Sequence, residues 1–206
     1  MEYLTLAMAK GRTTESTMAL LEAAGIYFTD LQEKSRKLVF YSTDERIKLI
    51  FVKAVDVPTY VEKGAADIGI VGKDNILEAQ ADVYEMLDLG IGRCKFVVAG
   101  KPEQRPEKSL TIASKYPTVA KKHFQKKGTA IETVKLNGSV ELAPLIGLAD
   151  MIVDIVETGN TINENGLTIF EELDAISTRL IVNKASFATK SDAIDLFIIN
   201  LKSALE

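Results

Sequence analysis

The chain has 206 residues, of which 47% are hydrophobic and 26% are charged, a composition typical of a soluble protein with one large domain or two small ones. A formal net charge of -4 and a pI near 5.3 argue against a partner that is nucleic acid or an acidic membrane surface. A single cysteine, Cys94, excludes an internal disulfide, and we find neither a secretory leader nor an apolar run of membrane-spanning length. We therefore expect a cytoplasmic protein.

Short apolar runs alternate with helix-like stretches, which is typical of an α/β protein with largely parallel strands. In the first half, the predicted elements are a strand at 3–11, a helix at 15–25 that Thr13 or Thr14 caps, strands at 38–43 and 47–54, a helix at 56–66, and a strand with its turn at 66–74. In the second half, they are strands within 83–102, a loop at 101–109, a strand at 110–114, a helix at about 118–127, a strand at 131–139, a helix at 140–149, strands at 151–156 and within 167–184, and a helix at about 191–205. No internal repeat stands out.

The composition suggests where the chain divides. It shifts near residues 90–101, and the later stretch STRLIVNK is suited to return the chain to its first sheet. We therefore predict two α/β lobes with a cleft between them, the second inserted into the first. Lobe I is expected at 1–92 and 179–206, and lobe II at 93–178.

The stretch from Val153 to Thr161, VDIVETGNT, joins a predicted buried strand to a compact polar turn. A phosphate site needs converging backbone N–H groups and little side-chain bulk. Gly159 permits close approach of the backbone, and the hydroxyls of Thr158 and Thr161 add donors. The same pattern equally suits an Asx-type turn and helix cap that hold no ligand, so the stretch alone does not decide.

The Thr-Gly-x-Thr turn resembles the phosphoribosyl-diphosphate motif of phosphoribosyltransferases. In the type I group of those enzymes, two adjacent acids come first and more residues separate them from the turn. Here the acids are Asp154 and Glu157, which are not adjacent. Acids at these places suit a ribose diol or a phosphate-bound magnesium ion, and their spacing counts against the type I fold.

Three further blocks occur in the chain, AMAKGR at 7–12, a long stretch at 56–74 and ASKYP at 113–117. With the stretch at 138–161 they resemble, in order and spacing, the ATP phosphoribosyltransferases, which catalyse the first step of histidine biosynthesis. The resemblance extends from the first strand to about Ser186. It implies two α/β lobes of the periplasmic-binding-protein type, in agreement with the predicted division.

The resemblance also implies a partner protein. Long members of the family carry a further regulatory domain that binds histidine, whereas this chain ends at Glu206, as expected for the short form. Short-form subunits work with a separate regulatory subunit that resembles histidyl-tRNA synthetase, in a hetero-octamer. We therefore expect that subunit as a partner, and neither nucleic acid nor a membrane.

The implied reaction is attack by N1 of the adenine of ATP on the anomeric carbon of phosphoribosyl diphosphate, with release of pyrophosphate. The protein must hold the 5-phosphate, hold two polyanions together and stabilise the leaving group, and it needs no covalent nucleophile. By the resemblance, phosphoribosyl diphosphate is expected to contact Asp154 through its ribose hydroxyls, and Glu157, Thr158, Gly159, Asn160 and Thr161 through its 5-phosphate.

Cations at predicted strand ends are expected to meet the other phosphates. Arg36 and Lys53 are the candidates for stabilising the leaving group, and Lys53 stands where many relatives have arginine, so it offers a point charge without bidentate geometry. The expected contacts of ATP and pyrophosphate are Lys10, Gly11, Arg12, Asp56, Gly69, Gly72, Lys73, Ser114, Lys115 and Tyr116. Without the resemblance, each cation also fits a solvated surface charge, Asp56 fits a helix cap better than a ligand contact, and the segment 67–74 fits an ordinary strand-to-helix turn.

No cluster of His, Cys and Asp has metal-ligand spacing, so we expect magnesium to come with the polyphosphates and the protein itself to hold no metal. His123 is expected on a helix surface among lysines, and Cys94 is expected to pack in a strand. Two other functions share part of the pattern. A two-lobed solute-binding module would hold an anion in the same cleft, and a phosphoribosyltransferase acting on another base would share the Thr-Gly-x-Thr loop.

Overall fold

The computed structural model describes residues 3–31, 36–103 and 110–206. Residues 104–109, which belong to the predicted loop at 101–109, lie outside the described part. In chain order, the described strands and helices are β1 (Leu4–Ala9), α1 (Thr14–Ala23), β2 (Val39–Tyr41), β3 (Ile47–Val52), a short 3-10 helix (Ala54–Asp56), α2 (Val57–Glu62), β4 (Ile68–Gly72), α3 (Lys73–Ala79), β5 (Tyr84–Asp88), β6 (Cys94–Gly100), β7 (Leu110–Ser114), α4 (Pro117–Lys126), β8 (Ile131–Lys135), α5 (Leu142–Leu145), β9 (Met151–Val156), α6 (Asn160–Glu164), β10 (Thr168–Ile176), β11 (Thr178–Val182), α7 (Lys184–Thr189) and α8 (Ser191–Leu205).

The chain forms two compact units. The first consists of Met1–Gly92 and Ser177–Glu206, and the second of Arg93–Ile176. Each unit has a sheet of its own with helices, and the second unit is inserted into the sequence of the first. The predicted fold class, two α/β lobes of which one is inserted, is therefore confirmed.

The sheet of the first unit has the strand order β2-β3-β1-β4-β11-β5 in the described residues. Its centre is parallel, because β1 runs in the same direction as both of its neighbours, β3 and β4. β2 pairs with β3, and β11 pairs with β4, in the antiparallel direction. Alternate residues of β1 serve opposite faces: Leu6 and Met8 pack into the core beneath α1 and α8, whereas Ala7 packs with Val57 of α2. Both faces of the central strands are thus covered, so polar contacts with a ligand are left to the strand ends.

The sheet of the second unit has the order β10-β6-β9-β7-β8. Here β7 is parallel to β8 and β9, and β6 runs antiparallel between β9 and β10. Ile152 and Val156 of β9 pack with Val97 of β6 and with Ile162 of α6 in one buried cluster. That cluster fixes the position from which β9 enters the turn at its carboxyl end.

The two units repeat one arrangement, although no repeat was expected from the sequence. In the first unit the N–H of Thr5 donates to the Asp67 carboxylate at 2.8 Å, and the N–H of Asp67 donates back to the carbonyl of Thr5 at 2.9 Å. In the second unit Thr111 and Asp150 make the same pair of bonds, at 2.7 and 2.9 Å. Leu-Thr-x-Ala opens both β1 and β7, and Ala-Asp precedes both β4 and β9. No repeat stands out in the sequence, because the matching residues are few and far apart.

Most predicted elements are confirmed, including α1 and the long α8, but four helices differ. The predicted helix at 140–149 is reduced to α5, because Gly147 adopts a left-handed φ of +77° and the N–H of Leu148 turns back to the carbonyl of Ala143 at 2.9 Å. The helices α3, α6 and α7 were not predicted. Each has only five to seven residues, too few for a helical period to emerge from the sequence.

Candidate active site

Two of the predicted cations leave the first sheet side by side. The register of β1 and β3 ends with Ala9 opposite Val52, so Lys10 and Lys53 follow on neighbouring parallel strands, which lie about 4.8 Å apart. Both side chains are exposed. The ammonium of Lys10 lies 5.1 Å from the ring centroid of Phe51, which gives the cation a defined support.

Arg36 comes to the same edge by a different route. Strand β2 is antiparallel to β3, and the N–H of Phe51 donates to the carbonyl of Leu38 at 2.8 Å, just before β2 begins. The chain that precedes β2 therefore lies beside the end of β3, and Arg36 is exposed there. Three predicted cations from separate parts of the sequence are thus brought to one edge of one sheet.

Gly11 and Arg12 form the turn between β1 and α1, and both are exposed. A methyl group built on Gly11 would meet nothing within 4 Å, so its backbone is open to a ligand. The prediction that Thr13 or Thr14 caps α1 is wrong: the Thr13 side chain makes no capping bond, and the hydroxyl of Thr14 instead accepts the N–H of Gly11 at 2.6 Å. The hydroxyl thus binds the turn and leaves the first turn of the helix uncapped.

The predicted segment around β4 separates into different roles. Gly69 lies buried inside β4, where a side chain would come within 2.7 Å of Val61 and 3.0 Å of Val57, so this glycine admits α2 and does not face a ligand. Gly72 ends the strand in an extended conformation. Lys73 begins α3, and its ammonium contacts both carboxylate oxygens of Glu85, at 2.9 and 3.0 Å. Glu85 therefore already balances the charge of Lys73.

Asp56 was expected to cap the helix at 56–66 with its side chain. It does occupy the residue before α2 and is exposed, but its carboxylate makes no capping hydrogen bond. The backbone there is in a helical conformation, because the 3-10 helix runs directly into α2, and a capping side chain needs an extended residue. The capping prediction is wrong for this reason.

In the second unit, β9 ends at Val156 and the Thr-Gly-x-Thr turn follows directly, before α6. Gly159 has φ +83° and ψ 0°, a left-handed conformation that favours glycine. The side chains before and after it, Glu157, Thr158, Asn160 and Thr161, are exposed. The hydroxyl of Thr158 accepts the N–H of Asn160 at 3.4 Å, a long bond that a ligand can replace.

Asp154 lies in β9 and is half-buried. Its Oδ1 accepts the N–H of the next residue, Ile155, at 2.8 Å. The register of β7 and β9 pairs Ser114 with Val153, so Lys115 follows at the level of Asp154 on the neighbouring strand. The structure therefore brings Lys115 and Asp154 to the same edge of this sheet as the Thr-Gly-x-Thr turn.

Ser114 and Tyr116 shape the end of β7 from within. The hydroxyl of Ser114 donates to the carbonyl of Val153 at 2.5 Å and accepts the N–H of Tyr116 at 2.8 Å. The ring of Tyr116 is only 1% exposed and packs edge-to-face on Phe96 with centroids 5.2 Å apart. Both side chains are used inside the unit, so the expectation that they face a ligand is corrected. Lys115 is half-buried, with its ammonium 5.4 Å from the ring centroid of Tyr116.

One charged cluster was not predicted as such. His123 lies on α4 as expected, but its Nε2 is 3.2 Å from Oε2 of Glu171 on β10, and Lys127 donates to the same oxygen. The hydrogen bond from Lys127, helped by the charge of His123, holds the pKa of the Glu171 carboxyl below its usual value. Glu171 is 48 positions from His123 and 44 from Lys127, so no local sequence pattern indicates these contacts.

Within residues 3–31, 36–103 and 110–206, no group of three or more His, Cys, Asp or Glu side chains is arranged to hold a metal ion. Over the same residues, no helix has both the length and the apolar character that crossing a membrane requires.

Comparison with known proteins gives a consistent result. A family model described as "HisG: ATP phosphoribosyltransferase" matches residues 53–203. An ATP phosphoribosyltransferase of Oceanobacillus iheyensis is 60% identical over 207 residues, which cover 100% of both chains, and one of Bacillus cereus (strain G9842) is 52% identical over 203 residues, which cover 98% of this chain and 96% of the relative. The solved structure of an ATP phosphoribosyl transferase (HisG:HisZ) complex from Thermotoga maritima matches with a TM-score of 0.87 and 36% identity over 98% of both chains.

Proposed function

The chain belongs to the ATP phosphoribosyltransferase family, and from that premise we propose that the carboxyl edges of its two sheets bind the two substrates. The reaction is the first step of histidine biosynthesis. It transfers the phosphoribosyl group of phosphoribosyl diphosphate to N1 of the adenine of ATP and releases pyrophosphate. The observation that carries the proposal is the gathering of Arg36, Lys53 and Lys10 at one strand edge of the first unit.

We assign the 5-phosphate of phosphoribosyl diphosphate to the turn from Glu157 to Thr161. The support is its backbone: Gly159 is held left-handed after a buried strand, and the polar side chains around it are exposed. Asp154 lies three residues before Glu157, within β9, where its carboxylate suits the ribose hydroxyls. Lys115 lies level with it on the neighbouring strand. A carboxylate next to a phosphate would repel it, so the carboxylates of Asp154 and Glu157 are assigned to the sugar, and the 5-phosphate to the backbone N–H groups and hydroxyls of the turn.

We assign the triphosphate of ATP and the departing pyrophosphate to the cations of the first unit. As the bond to the anomeric carbon breaks, negative charge grows on the pyrophosphate, and fixed cations lower the barrier most where charge develops. Arg36 and Lys53 are proposed to stabilise that charge, and Lys10, Gly11 and Arg12 to hold the phosphates. The exposure of all five residues leaves them accessible to a ligand.

The remaining predicted contacts carry less of the proposal. Gly72 ends β4 at the same edge as Lys10, but the carboxylate of Asp74 occupies the space beside it, so Gly72 is expected to add little to phosphate binding. The charge of Lys73 is balanced by Glu85, so Lys73 is expected to add little attraction for a phosphate. Asp56 is exposed close to Lys53 and does not cap α2, so it is assigned to a contact with the nucleotide. Gly69, Ser114 and Tyr116 are left out, because they pack within their units.

Three further parts of the proposal rest on the family. Magnesium is proposed to arrive with the polyphosphates, whose charge requires a counterion. A regulatory subunit is proposed as a partner, with a hetero-octamer as the assembly, since the relative from Thermotoga maritima was solved as a HisG:HisZ complex. A cytoplasmic location suits a reaction between ATP and phosphoribosyl diphosphate.

The reaction is tested by mixing the purified chain with ATP, phosphoribosyl diphosphate and magnesium, with and without the regulatory subunit, and following phosphoribosyl-ATP. The site is tested with Lys53→Met and with Lys63→Met as the matched control, because Lys63 is a lysine of the same unit whose side chain is 71% exposed. Lys53→Met is expected to lower kcat by about tenfold or more, and Lys63→Met to leave it within about twofold. Equal effects of the two variants would overturn the assignment of Lys53, and no product with a competent partner would overturn the reaction.

A further inference from the structure

The turn between β1 and α1 is closed by the side chain of Thr14. Its Oγ1 accepts the N–H of Gly11 at 2.6 Å and donates to the carbonyl of Ala9 at 3.1 Å. The N–H of Thr14 adds a third bond, to the carbonyl of Gly11 at 3.0 Å. One residue therefore binds the turn on both sides of Lys10.

The hydroxyl is suited to this task because it donates and accepts at once. An ionised carboxylate only accepts hydrogen bonds, and an alkyl group offers neither bond. Gly11 benefits from this tie, because glycine is conformationally permissive and a methyl group built on it would meet no atom within 4 Å. Without the tie, Lys10 and Arg12 would be attached to a turn with several conformations.

We propose that Thr14 is a positioning residue, whose hydroxyl holds Lys10 and Arg12 in the arrangement that binds the phosphates of ATP and pyrophosphate. This inference rests on the proposed function, which assigns Lys10, Gly11 and Arg12 to those phosphates. Thr14 acts through the turn, by reducing the conformational freedom that binding would otherwise have to remove.

A purely structural role predicts something different. The bond between Thr14 and Gly11 lies at the exposed surface, where water replaces a lost partner, so its loss has a small effect on folding. If the hydroxyl served only the fold, its removal would change the unfolding temperature and leave substrate affinity unchanged. A positioning role predicts the reverse.

The test compares Thr14→Val, which keeps the shape and removes both side-chain bonds, with Thr14→Ser, which keeps the hydroxyl. Thr189→Val is the matched control, because the hydroxyl of Thr189 also donates to a helix carbonyl, that of Ala185 at 3.0 Å, in the same unit. Affinity for magnesium-ATP, for pyrophosphate and for phosphoribosyl diphosphate is measured by calorimetry on the full chain, together with KM and kcat in the presence of the regulatory subunit.

We expect Thr14→Val to weaken ATP and pyrophosphate binding by about tenfold. Phosphoribosyl diphosphate binding is expected to weaken less, because its diphosphate contacts the same turn whereas its 5-phosphate is assigned to the turn from Glu157 to Thr161. Thr14→Ser is expected to restore affinity to within about threefold, and Thr189→Val to change nothing beyond about twofold. If Thr14→Val does not fold, Thr14→Ala takes its place, with Thr14→Ser as the same reference.

A double-mutant cycle with Lys10→Met identifies the route of the effect. If Thr14 acts by placing Lys10, then Thr14→Val has a much smaller effect on ATP affinity in the Lys10→Met background than in the wild type. Fully additive losses would overturn the inference. Weak binding in Lys10→Met together with normal binding in Thr14→Val would also overturn it, while leaving the assignment of Lys10 in place. Normal binding in both Lys10→Met and Arg12→Met would overturn the assignment of the turn itself, and the role of Thr14 with it.

Discussion

Replacing Gly159 by alanine should separate the cost of a strained backbone from the loss of a binding site. Gly159 has φ +83°, and a methyl group built there would lie 3.4 Å from Cδ1 of Ile169, an ordinary contact. The folding cost is therefore mainly conformational, about 1 kcal/mol for a left-handed residue that gains a side chain. A domain stability of about 5–15 kcal/mol tolerates this loss, so the variant should fold.

A second glycine of the same unit provides the control. Gly166 also has a left-handed φ, +69°, and lies in the same unit, yet a methyl group on it would meet nothing within 4 Å. Gly166→Ala should therefore lower the free energy of unfolding by a similar amount, about 1 kcal/mol. It should leave phosphoribosyl diphosphate binding unchanged, because Gly166 lies beyond the far end of α6.

The difference is expected in affinity. Alanine disfavours the left-handed backbone of the turn whose N–H groups are proposed to hold the 5-phosphate, so the Kd for phosphoribosyl diphosphate should rise by about tenfold or more, which is about 1.4 kcal/mol. Calorimetry with phosphoribosyl diphosphate gives the affinity, and thermal unfolding gives the stability, with a shift of about 2–4 °C expected for both variants. If Gly159→Ala and Gly166→Ala bound phosphoribosyl diphosphate equally well, the assignment of the turn would be refuted.

Two further predictions concern stability. Gly92→Ala should lower the free energy of unfolding by about 1–3 kcal/mol more than Gly128→Ala. Both residues have a left-handed φ, but a methyl group on Gly92 would lie 2.8 Å from the Thr13 side chain, whereas one on Gly128 would meet nothing within 4 Å. Chemical denaturation of the two variants measures the difference, and equal losses would show that Thr13 moves aside freely. Asp67→Ala should lower the free energy of unfolding by about 3–5 kcal/mol. Asp67 is 6% exposed and its carboxylate binds the ammonium of Lys190 at 3.1 Å, so its removal leaves the half-buried ammonium without its carboxylate. A loss below about 1 kcal/mol in chemical denaturation would mean that water replaces the carboxylate.

The sequence could predict the strands well because the central ones are nearly continuous apolar runs. β1, β3 and β9 are buried or half-buried along their length, and each carries one polar residue in an otherwise apolar run that ends where the chain leaves the sheet. That abrupt end is also why the exposed residues of the candidate site could be found: Lys10, Lys53 and Glu157 are the first polar residues after these runs. Local pattern and tertiary position agree at such places.

What the sequence could not predict depends on contacts between distant residues. The capping role expected of Asp56 failed because a 3-10 helix fixes its backbone, and the ligand role expected of Gly69 failed because α2 packs on it. Ser114 and Lys115 are adjacent polar residues at the end of the same strand, so both were expected to face a ligand. The hydroxyl of Ser114 instead donates a hydrogen bond to the carbonyl of Val153, 39 positions away. Residue type at a strand end is readable from sequence, whereas the direction of the side chain is decided by the partner strand.

The two units share one arrangement at the amino ends of their strands and differ at the carboxyl ends. In each unit an aspartate, Asp67 or Asp150, ties the start of one strand to the start of its parallel neighbour through two hydrogen bonds, of which its carboxylate accepts one and its backbone N–H donates the other. These ties lie at the amino ends of the strands and fix the register without using the carboxyl ends. The carboxyl ends are then free to differ, so one frame carries cations after β1 and β3 and the other carries a left-handed glycine turn after β9. On the proposed assignments, one copy of the scaffold would thus serve the phosphates of ATP and pyrophosphate, and the other the 5-phosphate of phosphoribosyl diphosphate.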